Sequence, residues 1–425
     1  MSIPGKRIGY WSVVSIGVGG MVGGGIFAVL GLSVQMTRGA APEAFMAAGL
    51  VALATAYSYA RLSVTFPSQG GTVTFLDQAF GSGLLTGAIN ILLWISYIVM
   101  LSLYAFAFGS YAAALVPEGM RLPWKHVFIS AGVIIVTGLN FLKVELIGVA
   151  EEWIVALKIG ILLIFIAAGA WSIDAVRLAA GGWPPPGNIL SGAMIIFLAY
   201  EGFELIANTA EDVHAPERTL PRAYYSAVGF VILLYILVAA VTVGNLPVDR
   251  IVAAKDYALA EAARPFLGSF GYLLITLAAL LSTLSAINAT LYGAARLSFN
   301  IAKDGELPAV LERKLWNKPV EGLLITTVAT LLVANLFDLS SISTMGSAGF
   351  LLIFACVNAA NVVLAEQTRS RRWISVLGVL FCIGALASLM RYTLKTAPAH
   401  IWVLAAMLIL AFLIEAVYRL WRKSP

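Results

Sequence analysis

Apolar stretches of membrane-spanning length alternate with short polar connections along the chain. They run over Tyr10–Met36, Pro42–Phe66, Gly83–Val116, Trp124–Phe141, Gly148–Trp171, Asn188–Val213, Ala223–Gly244, Phe266–Ala302, Leu323–Phe337, Ile342–Leu364, Trp373–Met390 and Ala399–Leu420. A helix needs about 20 apolar residues to cross the hydrocarbon of a bilayer. The pattern therefore predicts an all-α membrane protein with 12 transmembrane helices. Gly83–Val116 and Phe266–Ala302 exceed that length, which predicts helices that tilt or emerge from the hydrocarbon. Asp249–Arg264 mixes polar and apolar positions and predicts an amphipathic surface helix outside this set.

Two of the runs carry an interruption. The first contains Gly17, Gly19, Gly20, Gly23, Gly24 and Gly25, and the sixth contains Tyr200-Glu201-Gly202-Phe203-Glu204 between apolar flanks. Glycine frees a membrane helix to unwind, and unwound backbone at that depth is tolerated only where it lines a cavity. The breaks stand about five helices apart, one in each half of the chain. Discontinuous helices at corresponding positions of two halves point to the binding site of a transporter.

Composition narrows the class further. Of 425 residues, 60% are hydrophobic and only 12% charged, with a mean hydropathy of +0.91. Soluble domains carry about 25% charged residues, and disordered chains have low hydrophobicity. Both classes are excluded. The net charge of +5 fits a loop bias rather than nucleic-acid binding. With the N-terminus inside, 17 of the 27 basic residues fall on the cytoplasmic side, nine fall outside, and Lys158 lies within the membrane. This asymmetry predicts a multi-pass protein of the cell (inner or plasma) membrane with both termini cytoplasmic. Cys356 and Cys382 sit in apolar runs and read as buried small hydrophobes rather than a disulfide or a metal pair. No cleavable signal peptide is expected, because the first apolar run is too long and too glycine-rich for one.

The residues at the interruptions carry the candidate chemistry. If the first helix breaks at Gly23-Gly24-Gly25-Ile26, the half-helix beyond starts with free amides and a positive dipole end, which suits a substrate carboxylate. The same glycines also serve as a packing face of the Gly-xxx-Gly kind, as at Gly19 and Gly23. Gly23-x-Gly25-x-x-Ala28 is a degenerate dinucleotide fingerprint, but it lacks the preceding strand that such a site needs. Glu201 and Glu204 are three residues apart, and two acids so close in a membrane favour one of them holding a proton. Solvation at a helix end is the alternative. Lys158 either reaches toward Glu151 or Glu152 at the water interface, or points inward to the first break. Inward, its ammonium does the work of a bound cation among Gly19 and Gly20 carbonyls, and losing its proton removes that work. Ser282 and Thr283 in the eighth run are possible oxygen partners, although such hydroxyls commonly bond back to their own turn. Trp94, Tyr97, Phe203 and Phe350 are candidates for closing a pocket or for plain packing. No phosphate loop, zinc motif or other enzyme signature appears, so neither a metal nor an organic cofactor is expected.

These residues resemble the amino acid–polyamine–organocation superfamily over nearly the whole chain. Gly23-Gly24-Gly25-Ile26-Phe27 is similar to that family's break in helix 1, with glycine where its members often carry serine. Pro67-Ser68-Gln69-Gly70-Gly71 with Phe75 resembles its loop after helix 2. Tyr200-Glu201-Gly202-Phe203-Glu204, with Glu211, Pro216 and Pro221-Arg222-Ala223, resembles its helix 6 and following loop. Lys303-Asp304-Gly305-Glu306-Leu307-Pro308 is similar to its Asp-Gly-x-Leu-Pro element.

The resemblance implies two inverted five-helix repeats, about residues 10–172 and 188–364, followed by two more helices over about 373–420. It implies amino-acid transport by alternating access, closest to prokaryotic proton-coupled carriers of broad specificity. In those carriers a helix 5 lysine stands where sodium-coupled relatives bind sodium, and Lys158 fits that place. The substrate carboxylate would then meet Gly23, Gly24, Gly25 and Ile26, and its amine the carbonyls near Phe197, Leu198 and Tyr200. Phe203 would gate the site, and Glu204 matches an acid of arginine-exchanging members, while Glu201 bears on specificity without a family counterpart. The expected coupling ion is the proton and the expected partners are an amino acid and the bilayer, with no nucleic acid. An exchanger of amino acids or polyamines is the alternative within the class. A non-transporting amino-acid sensor of the same fold and a membrane-embedded enzyme are the alternatives outside it.

Overall fold

The computed structural model describes residues 8–141, 147–303 and 320–423. Among the described residues the chain is helical, and its only strand-like pairing is a bridge between Ile8 and Val213. A helix closes its backbone hydrogen bonds within itself, which is what hydrocarbon demands of a chain with so few polar side chains.

Each predicted run coincides with a helix or an interrupted helix. The first is two helices, α1 (Tyr10–Met21) and α2 (Gly25–Thr37), and α3 (Ala41–Thr65) follows after one 3-10 turn. A short α4 (Thr72–Phe80) leads into α5 (Leu84–Ala113), α6 (Arg121–Phe141) and α7 (Ile147–Ala170). After a four-residue α8 (Ala175–Leu178) comes α9 (Pro186–Ile195), which continues as 3-10 helix over Ile196–Tyr200. The chain turns at Glu201 and Gly202 and resumes as a second 3-10 segment, Phe203–Asp212. Then follow α10 (Pro216–Asn245), α11 (Val248–Ala253), α12 (Ala258–Lys303), α13 (Val320–Leu336), α14 (Leu339–Val363), α15 (Arg372–Thr396) and α16 (Ala399–Lys423). Ten helical segments among the described residues are long and apolar enough to cross a membrane, and α13 is a shorter apolar helix.

One expectation fails. Asp249–Arg264 is not a single surface helix but α11, a 3-10 turn over Lys255–Tyr257 and the start of α12. Ile251 and Leu259 are fully buried, and the Lys255 backbone lies so close to Gly31 of α2 that a Cβ there would collide with it. Tertiary packing against α2 thus overrides the amphipathic pattern. The run Phe266–Ala302 also begins earlier than its apolar pattern, at Ala258, and kinks at Gly268, where φ is +62°.

Three features position the site. α5 is the most enclosed helix, packed against α6, α12, α13, α14 and α16. Behind the second break lies an aromatic cluster in which Phe203 meets Tyr59, Phe354 and Tyr224 at ring separations of 5.5, 5.2 and 6.5 Å. The third is a backbone clasp: the Ile8 amide donates to the Asp212 carbonyl at 2.8 Å and the His214 amide to the Ile8 carbonyl at 3.0 Å. It ties the entry of α1 to the exit of the Phe203–Asp212 segment. Cys356 and Cys382 are both free thiols.

Candidate functional site

The two interruptions meet face to face, and glycine makes the approach possible. A Cβ on Gly20 would sit 2.7 Å from the Gly202 carbonyl oxygen, and one on Gly25 would sit 2.8 Å from Ala199 Cα. Gly202 itself has φ +116°, a conformation that side chains of L residues rarely adopt. The helix that restarts as α2 has Gly24 as its N-cap, with no side chain capping it. The first amides of any helix lack intrahelical acceptors, so the amides of Gly25, Ile26 and Phe27 form an electropositive end.

The carbonyl side of the first break is occupied by side chains from distant helices. Ser282 of α12 donates to the Val22 carbonyl at 3.0 Å and also to that of Gly23. Tyr235 of α10 reaches both breaks at once, with its hydroxyl 2.7 Å from the Met21 carbonyl and 3.2 Å from that of Ala199. Lys158 of α7 is 2% exposed and donates to the Gly19 carbonyl at 3.0 Å. Its ammonium thus points into the first break. The Glu151 and Glu152 side chains lie outside the described residues, as do Asp304 to Pro308.

Around the second break, Ser343 and Ser347 of α14 both donate to the Ile195 carbonyl, at 2.6 and 2.8 Å. The Leu198 carbonyl accepts from the Glu201 amide at 3.2 Å, and the Tyr200 hydroxyl is turned away to the Phe45 carbonyl at 2.7 Å. Glu201 and Glu204 are each 2% exposed. The Glu204 carboxyl accepts from the Gly202 amide at 2.8 Å and from the Tyr97 hydroxyl at 3.4 Å. Glu201 is its acidic neighbour, and the Tyr104 hydroxyl stands beside Glu201. Among the described residues no ion pair involves either acid.

The structure brings Gly19, Gly20, Gly23, Gly24, Gly25, Ile26, Lys158, Ser282, Phe203, Glu201 and Glu204 to the paired breaks. Thr283 is present, but its hydroxyl bonds back to the Ala279 carbonyl at 2.7 Å and only its methyl faces Gly24. Trp94 is elsewhere, with its indole donating to Thr326 at 3.1 Å. Phe350 meets Tyr97 edge to face at a ring separation of 5.9 Å. Sequence reasoning missed Tyr104, Tyr235, Ser343 and Ser347. A polar group in the middle of an apolar run was the signal available for each.

A sequence model of amino acid permeases matches residues 8–416, across both breaks and nearly the whole chain. The chain belongs to the amino acid permease family. It is 35% identical over 421 residues to an uncharacterized protein of Methanocaldococcus jannaschii, covering 99% of this chain and 97% of the relative. The inner membrane transport protein YbaT of Escherichia coli is 33% identical over 95% of this chain and 94% of its own length. Cationic amino acid transporter 9, chloroplastic, of Arabidopsis thaliana is 28% identical over 87% of this chain and 69% of its own length. The permease is a multi-pass membrane protein and a transporter rather than an enzyme. In this permease the Pro67–Gly71 loop sits against the second broken helix, since Gly71, at φ +48°, abuts the Asn208 side chain. Its Gln69 accepts from Arg296 of α12 at 2.5 Å.

Proposed function

We propose that this permease is a proton-coupled amino-acid symporter that works by alternating access. The reading includes 12 membrane crossings with cytoplasmic termini, in which five helices from about residue 10 to 172 and five from about 188 to 364 form inverted repeats. The substrate carboxylate meets the amides at Gly23–Ile26, and its amine meets the carbonyls near Phe197, Leu198 and Tyr200, with Phe203 as the gate. Lys158 and Glu204 carry the coupling. The observation that carries this reading is the bond from the buried Lys158 ammonium to the Gly19 carbonyl, 3.0 Å long, beside an uncapped helix start. A protonated lysine holds the end of α1 as a cation would, and a neutral one releases it.

The test is uptake of radiolabelled amino acids into proteoliposomes under an imposed pH gradient, with and without sodium. Uptake should follow the proton gradient, ignore sodium, and lose its pH dependence in Lys158→Ala. Sodium-dependent uptake indifferent to the pH gradient, or unchanged pH dependence in Lys158→Ala, refutes the reading. A second reading, exchange of basic amino acids or polyamines, is favoured by the buried Glu201–Glu204 pair. It is told apart by counterflow that needs a solute on the far side and no pH gradient.

A further inference from the structure

Tyr104, on α5, is not among the substrate contacts named above, yet it stands between the two breaks. Its ring lies directly against the first break: a Cβ on Gly24 would collide with Tyr104 Cδ1 and come within 3.1 Å of Cε1. A Cβ on Gly23 would come within 3.2 Å of its hydroxyl. Two small groups stand beside it, the Thr283 methyl, 3.0 Å from the Gly24 Cβ position, and Ala286 Cβ, 2.9 Å from that of Gly23. The Tyr104 side chain is 1% exposed. A solute whose carboxylate sits on the amides following Gly24 therefore shares its space with this ring.

The ring also has a polar neighbour at its far end. Its hydroxyl stands beside Glu201, Glu201 stands beside Glu204, and Glu204 is fixed by the Gly202 amide at 2.8 Å and the Tyr97 hydroxyl at 3.4 Å. A continuous chain of contacts thus runs from the backbone of one break to the backbone of the other through Tyr104. A side chain wedged against one break and facing a buried carboxyl of the other cannot swing aside without giving up that polar neighbour.

We propose that Tyr104 is the specificity-determining residue of this permease, a fixed spacer that favours small neutral amino acids such as glycine and alanine over large ones, with Glu201 as the positioning residue that holds its ring. The proposal deepens the transport reading and rests on the solute lying at the first break.

The experiment measures uptake by the full-length protein in proteoliposomes for glycine, alanine, leucine and phenylalanine, with KM and kcat determined separately. Tyr104→Leu should raise the kcat/KM ratio of phenylalanine to alanine roughly tenfold or more, the scale at which apolar pockets discriminate by size. The change should fall mainly in KM. Glu201→Gln keeps an acceptor for the Tyr104 hydroxyl and a donor for Glu204, so it should keep the wild-type ratio. Glu201→Leu loosens the ring and should move the ratio in the same direction as Tyr104→Leu. An unchanged ratio in a transporting Tyr104→Leu overturns the proposal. Where Tyr104→Leu is not recovered folded, Tyr104→Phe, which removes only the hydroxyl that faces Glu201, takes its place: a raised ratio supports the proposal and an unchanged one overturns it. Failure of the underlying reading looks different, because the wild type then takes up none of the four amino acids and the proposal falls with it.

Discussion

Gly20→Ala isolates the contact between the two broken helices. Gly20 lies in α1 with ordinary helical backbone, so alanine there meets no conformational penalty and gains about 1 kcal/mol of helix propensity. The new Cβ would stand 2.7 Å from the Gly202 carbonyl oxygen, 3.0 Å from its Cα and 3.1 Å from its carbonyl carbon. Ordinary contact begins at 3.4 Å, so the methyl is about 0.7 Å too close to an atom that belongs to backbone and has no rotamer to adopt. Overpacking of this kind costs about 1–3 kcal/mol. The internal control is Gly160→Ala in α7, where a Cβ would meet nothing within 4 Å. It should be neutral or up to about 1 kcal/mol stabilising. The two variants carry the same chemical change and should differ by about 1–3 kcal/mol, the overpacking alone. Thermal unfolding of the detergent-purified proteins reads this difference, and proteoliposome uptake reads its consequence. Gly20→Ala should unfold at lower temperature and transport less, while Gly160→Ala does neither. Equal melting and equal uptake in the two variants would refute the close approach of the breaks.

Tyr235→Phe removes the hydroxyl that serves both the Met21 and Ala199 carbonyls. It should cost about 1–3 kcal/mol by thermal unfolding, the price of buried acceptors left without a donor. At the other end of the fold, Asp338 caps α14 by accepting from the Ser341 amide at 2.9 Å. Burial raises the tendency of its carboxyl to hold a proton, but the Ser341 hydroxyl and amide, aided by His400 and Lys255, outweigh that and leave it below the ordinary Asp value. Its stabilisation is therefore present above the ordinary Asp range, about 4, and is lost as pH falls through the lower folded value. Asp338→Ala should cost about 0.5–1 kcal/mol near neutrality, at the low end for an exposed cap, and its melting temperature should converge with wild type in acid.

Much of this molecule is legible in its sequence because lipid leaves a chain few choices. Run length located the helices, and the crowding of Gly23, Gly24 and Gly25 located the first interruption to within a residue or two of Val22–Gly24. Glu201 and Gly202 located the second, since a charge beside a glycine is costly inside an intact membrane helix. The 3-10 winding on both sides of that second break was not legible, because its cause is the packing of α14 serines and of Gly25 and Gly20 against it. Tyr104 and Tyr235 were passed over for a similar reason. A lone tyrosine in an apolar run looks like packing until the chain is folded and its hydroxyl is seen on a carbonyl or carboxyl far away in sequence. The same long-range packing turned Asp249–Arg264 inward.

The pairing of Ile8 with Asp212 and His214 has a mechanical meaning. It joins the leading end of one split rod to the trailing end of the other by main-chain bonds alone, so only proline, which removes the donor at Ile8 or His214, takes a bond from it directly. A pull on either end is shared by both, without passing through the glycine hinges that separate them from their other halves.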